Sequence, residues 1–519
     1  MPMPFMDSTT DVGSLSELVA LEGRIGIALQ PHTLDSVLRG LWNRARDDGF
    51  PAPFMVAGTV QFALRHCAPA YRSMRAAEPL AWQKLAPVVD LIARFLLSDP
   101  VGFDESVPSS PLSILLRIVG NQFPYNPDIF GQQARSLILY TGIPKEIAGR
   151  KNVPLFDFAA AFERSNGVSI QDFVDVGFVA FAAAHKNRSF ARDYFDTARR
   201  QGMHLPDDET VSAALNGLAA DPGLLKKLDR QYQQPERRFA AYDYNPLFPY
   251  PIVRPWRQKK RLPMAHDRMT VPMPLLIPWR ISTGIYYQMR QEHPDFASYF
   301  GHLFECYAGK VLGHCAPGKL LMSEQDIRKV YSTRMGKTPD WIVVDGSTAI
   351  LIECKATRLS RLALATGSEE AITSSLAQIK SGLYQLHEFM QACQAGRVPH
   401  PLLAGCTTFC PVVLTFEPIY LINSVLFRDS LTEMLHGEAR KLPWLILSLD
   451  ELERLQPHLA AGVAMASLFA SLRSQRFDEV LQALHKKTNK TYCDSFLFQK
   501  DQEIYDRLGV SNRLASTAK

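Results

Sequence analysis

Three charged side chains stand at the ends of two short apolar segments. Asp340 precedes the apolar run that leads into the turn at 345–348, and Glu353 and Lys355 end the apolar run that follows. Burying a charge in such segments is costly unless the charge is paired or binds a metal ion. Two carboxylates offer the hard oxygen ligands that Mg²⁺ prefers, and a lysine ammonium attracts phosphate. The pattern therefore predicts a site that holds a divalent cation against a phosphate group.

The two apolar segments are predicted to form a β-hairpin. The turn at 345–348 contains aspartate, glycine, serine and threonine, which accept the dihedral angles of a tight turn. Side chains alternate between the faces of a strand, so Glu353 and Lys355 share a face with Leu351. Ile350, Ile352 and Cys354 are apolar and point to the opposite face. Apolar residues on both faces are typical of a buried strand. An antiparallel return would bring Glu353 and Lys355 close to Asp340.

This motif resembles that of a known enzyme superfamily. Pro339-Asp340 followed by Glu353-Cys354-Lys355 is similar to the PD-(D/E)XK pattern of nucleases, over about residues 295–450. The resemblance implies a restriction-endonuclease-like α/β fold, in which a mixed β-sheet is flanked by helices. It also implies that Asp340 and Glu353 coordinate Mg²⁺, with Mn²⁺ as a substitute. Lys355 would then assist the attacking water and balance the charge that develops on the phosphate.

A helix is predicted on each side of this motif. Apolar residues recur at helical spacing over 298–312, and Glu305 lies beside the apolar stripe. The resemblance implies that Glu305 is a further metal ligand, whereas the alternative is a glutamate on a solvated helix face. Residues 369–394 show a second stripe, with Gln378 and Gln385 on an adjacent face. The resemblance implies a glutamine that reaches the catalytic group (Gln385) or the phosphate (Gln378), and the alternative is two exposed amides.

Three further strands are expected around the hairpin. Residues 319–322, 409–416 and 444–449 form short apolar runs. The last run leads into 450–453, whose acidic residues suit the positive amino end of a helix. The order helix, strand, hairpin, helix, strand, strand predicts a mixed β-sheet flanked by helices.

The chain, at 519 residues, is long enough for at least two domains. Helical spacing dominates its first half, where no motif carries chemistry, so we expect a large all-α amino-terminal domain. Its role would be binding or regulatory, and the alternative is a structural platform. A basic linker is expected next, because its many prolines exclude a regular helix. The predicted limits are 1–240 for the helical domain, 241–285 for the linker, 286–455 for the nuclease-like domain and 456–519 for a helical extension.

Basic residues in two places are candidates for binding nucleic acid. Arg257, Lys259 and Lys260 lie in the linker beside a tryptophan, and this combination suits phosphates and a stacked base. The alternative is a solvated loop between domains. Arg358 and Arg361 follow the motif lysine more closely. We expect these two arginines to hold phosphates at the site.

Composition indicates which cellular compartment and which partners to expect. The formal net charge of +5 permits a local basic face but does not by itself indicate a nucleic-acid partner. Eight cysteines are spread along the chain without a CxxC pair, which suits a reducing cytoplasm. The most apolar stretch, 173–184, is short and contains Asp175, so we expect a buried helix rather than a membrane span. The amino terminus lacks the apolar run of a secretory signal.

These features predict a Mg²⁺-dependent phosphodiesterase that resembles an endodeoxyribonuclease. Restriction and anti-phage defence are roles implied by the resemblance alone. Two alternatives stay open. One is a ribonuclease, because the sequence does not distinguish the two sugars, and the other is a nuclease fold kept as a nucleic-acid-binding or assembly module without catalysis. The expected partners are DNA, a protein bound through the amino-terminal half and a second copy of the chain.

Overall fold

Helices flank two mixed β-sheets in this chain. The computed structural model describes residues 14–45, 52–67, 78–98, 111–125, 131–254, 268–332, 336–419 and 422–510. The α-helices in these residues are α1 Leu15–Leu29, α2 Leu34–Ala45, α3 Pro53–His66, α4 Trp82–Leu97, α5 Pro111–Gln122, α6 Gln132–Leu137, α7 Ile143–Ile147, α8 Phe158–Asn166, α9 Ile170–Asn187, α10 Tyr194–Arg200, α11 Asp208–Leu218, α12 Pro222–Tyr232, α13 Leu276–Arg280, α14 Thr283–Glu292, α15 Phe296–Cys315, α16 Glu324–Arg328, α17 Arg361–Thr366, α18 Glu369–Gln394, α19 Pro401–Ala404, α20 Val425–Glu433, α21 Leu449–Ala460, α22 Met465–Leu472, α23 Phe477–Thr488 and α24 Phe496–Arg507. The strands are β1 Ser189–Ala191, β2 Ala219–Ala220, β3 Ile252–Val253, β4 Arg268–Thr270, β5 Leu320–Ser323, β6 Trp341–Asp345, β7 Thr348–Lys355, β8 Thr408–Thr415 and β9 Leu445–Ser448.

The larger sheet has its strands in the order β5-β6-β7-β8-β9. β6 runs antiparallel to both β5 and β7, whereas β7, β8 and β9 run parallel to one another. The β6–β7 turn includes Gly346, whose φ of +64° is a conformation that glycine adopts without a steric cost from Cβ. The predicted hairpin and its neighbouring strands are confirmed. The amino end of β6 and the carboxyl ends of β7, β8 and β9 meet at one edge of this sheet.

Alternating side chains divide the core of this sheet between two helical layers. Leu351, Val413 and Ile446 from the three parallel strands pack against the apolar face of α18. Their neighbours Ile352 and Val412 point to the other side, where they pack with α15 and α21. Burial on both faces explains the apolar run in β7. The sheet therefore lies between α18 on one side and α15 with α21 on the other, which confirms the flanking helices predicted from sequence.

The amino-terminal half packs in two places. Helices α1, α3 and α4 form a core with aromatic and aliphatic residues that follow α12. Helices α8, α9 and α11 instead share one core with α15 and the larger sheet. The apolar stretch at 173–184 lies within α9, where Phe173, Val174 and Val176 are fully buried. Among the described helices, none alone has both the length and the apolar composition needed to cross a membrane.

The expectation of an all-α amino-terminal half is wrong in the part that the structure describes. β1 and β2 lie in this half and join β3 and β4 in a second sheet, of order β1-β4-β3-β2. β1 pairs with β4, and β2 pairs with β3. These strands have two or three residues each, which is too short to show the alternation that marks a strand in a sequence.

Much of the predicted linker is packed against the rest of the chain. Leu247, Ile252 and Ile277 are fully buried, and the segment contributes β3, β4 and α13. Its prolines do prevent a long helix, but its apolar residues place it in the core rather than in solvent. Helix α21 also crosses the predicted limit at 455. The packing does not follow the predicted domain limits, which stay predictions.

Candidate active site

The open end of the β6–β7 hairpin brings three charged groups together. Asp340 Oδ2 accepts a hydrogen bond from the backbone N–H of Cys354 at 2.7 Å. Lys355 Nζ donates to Glu353 Oε1 at 2.5 Å. Because Trp341 pairs directly with Ile352, the residues before and after this pair, Asp340 and Glu353, are cross-strand neighbours. The hairpin geometry therefore produces the convergence that the sequence pattern predicts.

A third and a fourth carboxylate extend this group. One carboxylate oxygen from each of Glu305, Glu324 and Asp340 lies within 4.8 Å of the other two. Glu305 comes from α15, as expected, whereas sequence reasoning missed Glu324. The strand predicted at 319–322 carried an indirect signal. β5 ends at Ser323, which pairs with Trp341, so the following residue, Glu324, lies beside Asp340. The backbone N–H of Glu324 donates to the carbonyl oxygen of Asp340 at 2.8 Å, which fixes this position.

Glu353 faces a different set of partners from these three acids. Its side chain is buried, and its second oxygen, Oε2, accepts a hydrogen bond from Gln385 Nε2 at 2.6 Å. Gln385 also donates to the carbonyl oxygen of Thr338 at 2.6 Å. Gln385 therefore reaches the site, as proposed for this helix, whereas Gln378 lies exposed on α18. The predicted ligand set of Asp340, Glu353 and Glu305 differs from the geometric group, in which Glu324 takes the place of Glu353.

Burial and mutual repulsion perturb every carboxyl group of the predicted set. Burial raises the pKa of Glu305 to about 8, and the charges of Asp340 and Glu324 add to this effect. Burial also raises the pKa of Asp340 to about 6, although a backbone hydrogen bond and Lys355 oppose it. The pKa of Glu353 is raised by burial and then by Asp340. Burial disfavours the Lys355 ammonium, but attraction to Glu353 and Asp340 together outweighs burial and raises the pKa of Lys355.

Close contacts between α15 and β6 hold Glu305 near the hairpin. Trp341 Nε1 donates to the backbone carbonyl oxygen of Glu305 at 3.0 Å. The indole can approach this closely because residue 309 is glycine: a Cβ there would lie 2.1 Å from Trp341 Cζ2. Arg150, from the amino-terminal half, is near enough for its charge to lower the pKa of Glu305. The site therefore receives a positive charge from a part of the chain that the sequence pattern did not connect with it.

The two arginines after the motif line a neighbouring cavity. The guanidinium carbon of Arg358 lies 3.7 Å from the ring centroid of Tyr287, and that of Arg361 lies 3.5 Å from the ring centroid of Tyr244. All four side chains line a cavity of about 990 Å³. The nucleic-acid role of these arginines stays a prediction. The other basic candidates, Arg257, Lys259 and Lys260, lie outside the described residues.

The grouped acids are suited to a hard divalent cation. Donor atoms that share one octahedral Mg²⁺ with bonds of about 2.0–2.1 Å lie roughly 3–4 Å apart, which the spacing of Glu305, Glu324 and Asp340 allows. All the donors are carboxylate oxygens, the ligands that Mg²⁺, Mn²⁺ and Ca²⁺ share. The ligand chemistry therefore fits the expected cofactor, but it does not select one metal among these three.

Comparisons with known proteins do not place the chain in a family. No protein-family model, no curated protein and no solved structure matches it. The interpretation of the site therefore depends on the geometry of its residues and on the resemblance of its motif.

Proposed function

We propose that this protein is a metal-dependent phosphodiesterase that hydrolyses nucleic acid, with DNA as the first substrate to test. The observation that carries the proposal is the meeting of Asp340, Glu353 and Lys355 at the open end of one hairpin. Glu305 and Glu324 add carboxylate oxygens beside them. Lys355 pairs with Glu353 and Arg328 pairs with Glu324, but four buried or half-buried acids in one place still repel one another. A bound divalent cation would lower this cost, which favours a metal-binding role over a structural one.

Lys355 is the residue best suited to handle the charge of a phosphate. A divalent cation bound at the grouped acids would polarise a phosphoryl oxygen as a Lewis acid. The Lys355 side chain is about one-fifth exposed (22%), so its ammonium can contact a phosphate that enters from solvent. Its raised pKa keeps it protonated at neutral pH. We therefore assign to Lys355 the stabilisation of the negative charge that develops on the phosphoryl oxygens.

Glu353 and Gln385 fix the position of this lysine. One carboxylate oxygen of Glu353 accepts a hydrogen bond from Lys355 and the other accepts one from Gln385, so the carboxylate has one orientation. Gly382, one turn before Gln385, lets α18 lie close above this pair: a Cβ there would be 3.2 Å from Lys355 Cε. Held in this way, Lys355 needs little rearrangement when a phosphate arrives, which is the condition for electrostatic catalysis.

The test is a cleavage assay with purified protein and matched substrates. Linear DNA, circular DNA and an RNA of the same sequence would each be incubated with Mg²⁺, with Mn²⁺ and with a chelator. We expect cleavage only with a divalent cation, and loss of cleavage in Glu353→Ala. Cleavage of circular DNA would identify an endonuclease, and a preference for RNA would identify the ribonuclease alternative.

Two outcomes would count against the proposal. Cleavage that persists in the chelator, or that is as fast in Glu353→Ala as in the wild type, would show that another site or a contaminant acts. Tight binding of DNA without cleavage under every metal condition would favour the alternative of a binding or assembly module. Roles in restriction or anti-phage defence follow from the resemblance and need tests in cells.

A further inference from the structure

The cavity beside the motif lies where the parallel strands end. Its walls include Arg358 after β7, Glu417 after β8 and Glu451 after β9. In sheets with parallel strands, ligands bind in the crevice outside the carboxyl ends of the strands. A cavity of about 990 Å³ also falls in the size range of small-molecule sites. Its position and its size both favour a ligand of its own.

The amino end of α20 opens onto this cavity. Ser424, the residue before the helix, lines the wall, but its side chain makes no capping hydrogen bond. Its hydroxyl oxygen is buried and has no hydrogen-bond partner in the described part of the chain. A buried hydroxyl normally has a partner, and the first N–H groups of a helix attract anions. This combination indicates a place for an anionic group.

Two arginines on the cavity wall reinforce this indication. Arg428 is held by the carbonyl oxygen of Trp444 at 3.1 Å, and its guanidinium carbon lies 4.2 Å from the Trp444 ring centroid. Burial lowers the pKa of Arg428, and the like charge of Arg473 lowers it further. Arg473 Nε is buried and lacks a hydrogen-bond partner among the described residues. Asp429 opposes this lowering only in part, so the two adjacent guanidinium groups still repel each other, and an anion between them would reduce that cost.

The acids on the same wall already have partners. Glu417 accepts a hydrogen bond from Tyr287, and Asp450 forms an ion pair with Arg135 at 2.9 Å. Glu451 accepts from the backbone N–H of Ser448 in the capping box of α21. Asp478, which also lines the cavity, lies 3.9 Å from Arg454. These carboxylates therefore have partners, and Arg428 and Arg473 supply positive charge beside the amino end of α20.

We propose that Ser424, Arg428 and Arg473 form a phosphate subsite of this cavity, which binds the phosphate of a nucleotide-sized ligand. The ligand can be a free nucleotide or a nucleotide unit of a bound nucleic-acid strand, since both present the same phosphate chemistry. Arginine suits phosphate because its planar guanidinium donates two parallel hydrogen bonds. This inference does not depend on the proposed cleavage activity, because none of these residues lies in the hairpin site.

The test measures ligand binding in the presence of a chelator. Without a metal ion, the grouped acids at the hairpin cannot bind the phosphate of a ligand. Inorganic phosphate, adenosine triphosphate and a short single-stranded oligonucleotide would each be titrated by calorimetry into the full chain. We expect the triphosphate to bind and inorganic phosphate to compete with it. Arg473→Gln should weaken binding by about tenfold or more, because it removes a charge-assisted contact. Competition by the oligonucleotide would show that the subsite also accepts a strand.

Two further variants make the result specific. Ser424→Ala should also weaken binding while leaving α20 intact, since the serine side chain makes no capping bond. Arg397→Gln, on the exposed turn after α18, removes one positive charge elsewhere and should bind like the wild type. Arg473→Gln should not lower the melting temperature, because it relieves repulsion from Arg428. The proposal is overturned if no probe binds, or if Arg473→Gln binds as tightly as the wild type and Arg397→Gln.

Discussion

Asp340 is held by the backbone of the neighbouring strand as well as by charge. The hydrogen bond from the N–H of Cys354 occupies one of its oxygens and fixes the orientation of its carboxylate. Glu353 is held differently, through Lys355 and Gln385. The four acids of the site therefore divide into a group of three that can share a cation and one that orients the lysine.

Glu324→Gln should weaken binding of a divalent cation more than Glu353→Gln does. Glu324 belongs to the group of three carboxylates, whereas both oxygens of Glu353 are already hydrogen-bonded. We expect Glu324→Gln to lower the affinity for the cation by about tenfold or more. Replacing even a residue that only hydrogen-bonds a metal ligand typically lowers metal affinity by that factor. Mn²⁺ titration followed by electron paramagnetic resonance measures both affinities. A larger loss in Glu353→Gln than in Glu324→Gln would contradict this assignment and argue for the ligand set predicted from sequence.

Glu305→Gln should stabilise the metal-free protein at high pH. The pKa of Glu305 in the folded protein is about 8, above its ordinary value of 4.5. For an acid shifted in this direction, stability is fully present below the ordinary pKa and is lost as the pH rises through about 8. Thermal melts in a chelator should therefore show a higher melting temperature for Glu305→Gln at pH 8 and no difference at low pH. Added Mg²⁺ should reverse the order at pH 8, and a variant that is less stable without metal would contradict this account.

At the scale of elements, the hairpin and its two helices could be predicted because their signals are local. The apolar run that begins at 349 after a tight turn and the helical spacing over 369–394 depend only on neighbours in the chain. Glu324 was missed because its relation to Asp340 arises from strand pairing, which the sequence shows only indirectly. The short strands β1 to β4 were missed for the same reason, since pairing rather than pattern defines them. Arg150 and Arg428 come close to their sites through long-range packing, which one sequence does not reveal.

Gly309→Ala should destabilise the contact between α15 and β6. The added Cβ would lie 2.1 Å from Trp341 Cζ2, so the indole or the helix has to move. Overpacking of this kind costs roughly 1–3 kcal/mol. Gly313→Ala, one turn further along α15, meets nothing within 4 Å and should be stabilising by roughly 0.5–1 kcal/mol. Urea denaturation of both variants checks the contrast, and similar stabilities would show that α15 does not pack on Trp341 as described.

At the scale of the whole molecule, the amino-terminal half is tied to the sheet by a buried ion pair. Arg135 Nε donates to Glu453 Oε1 on α21 at 2.9 Å, and Tyr307 on α15 donates to the same carboxylate oxygen at 2.7 Å. Both charged side chains are about 5% exposed. The two halves also share one apolar core, so we expect the part with the larger sheet to need the first half in order to fold.

Arg135→Met should destabilise the full chain strongly. It leaves Glu453 buried without its cation, and breaking a buried pair in this way costs roughly 3–5 kcal/mol. The double variant Arg135→Met/Glu453→Gln removes the orphaned charge and should recover part of the loss. Equilibrium denaturation of the single and double variants measures both effects. A single variant as stable as the wild type would show that the two halves do not depend on this contact.

The central claim, that Lys355 and the acids beside it cleave a nucleic-acid backbone with a divalent cation, is tested most directly by one rate. Cleavage of DNA at saturating Mg²⁺ would be measured for the wild type, for Lys355→Met and for Lys486→Met, which removes an exposed lysine on α23. We expect Lys355→Met to be slower by about a hundredfold or more while Lys486→Met cleaves at the wild-type rate. Equal rates in Lys355→Met and the wild type would contradict the account.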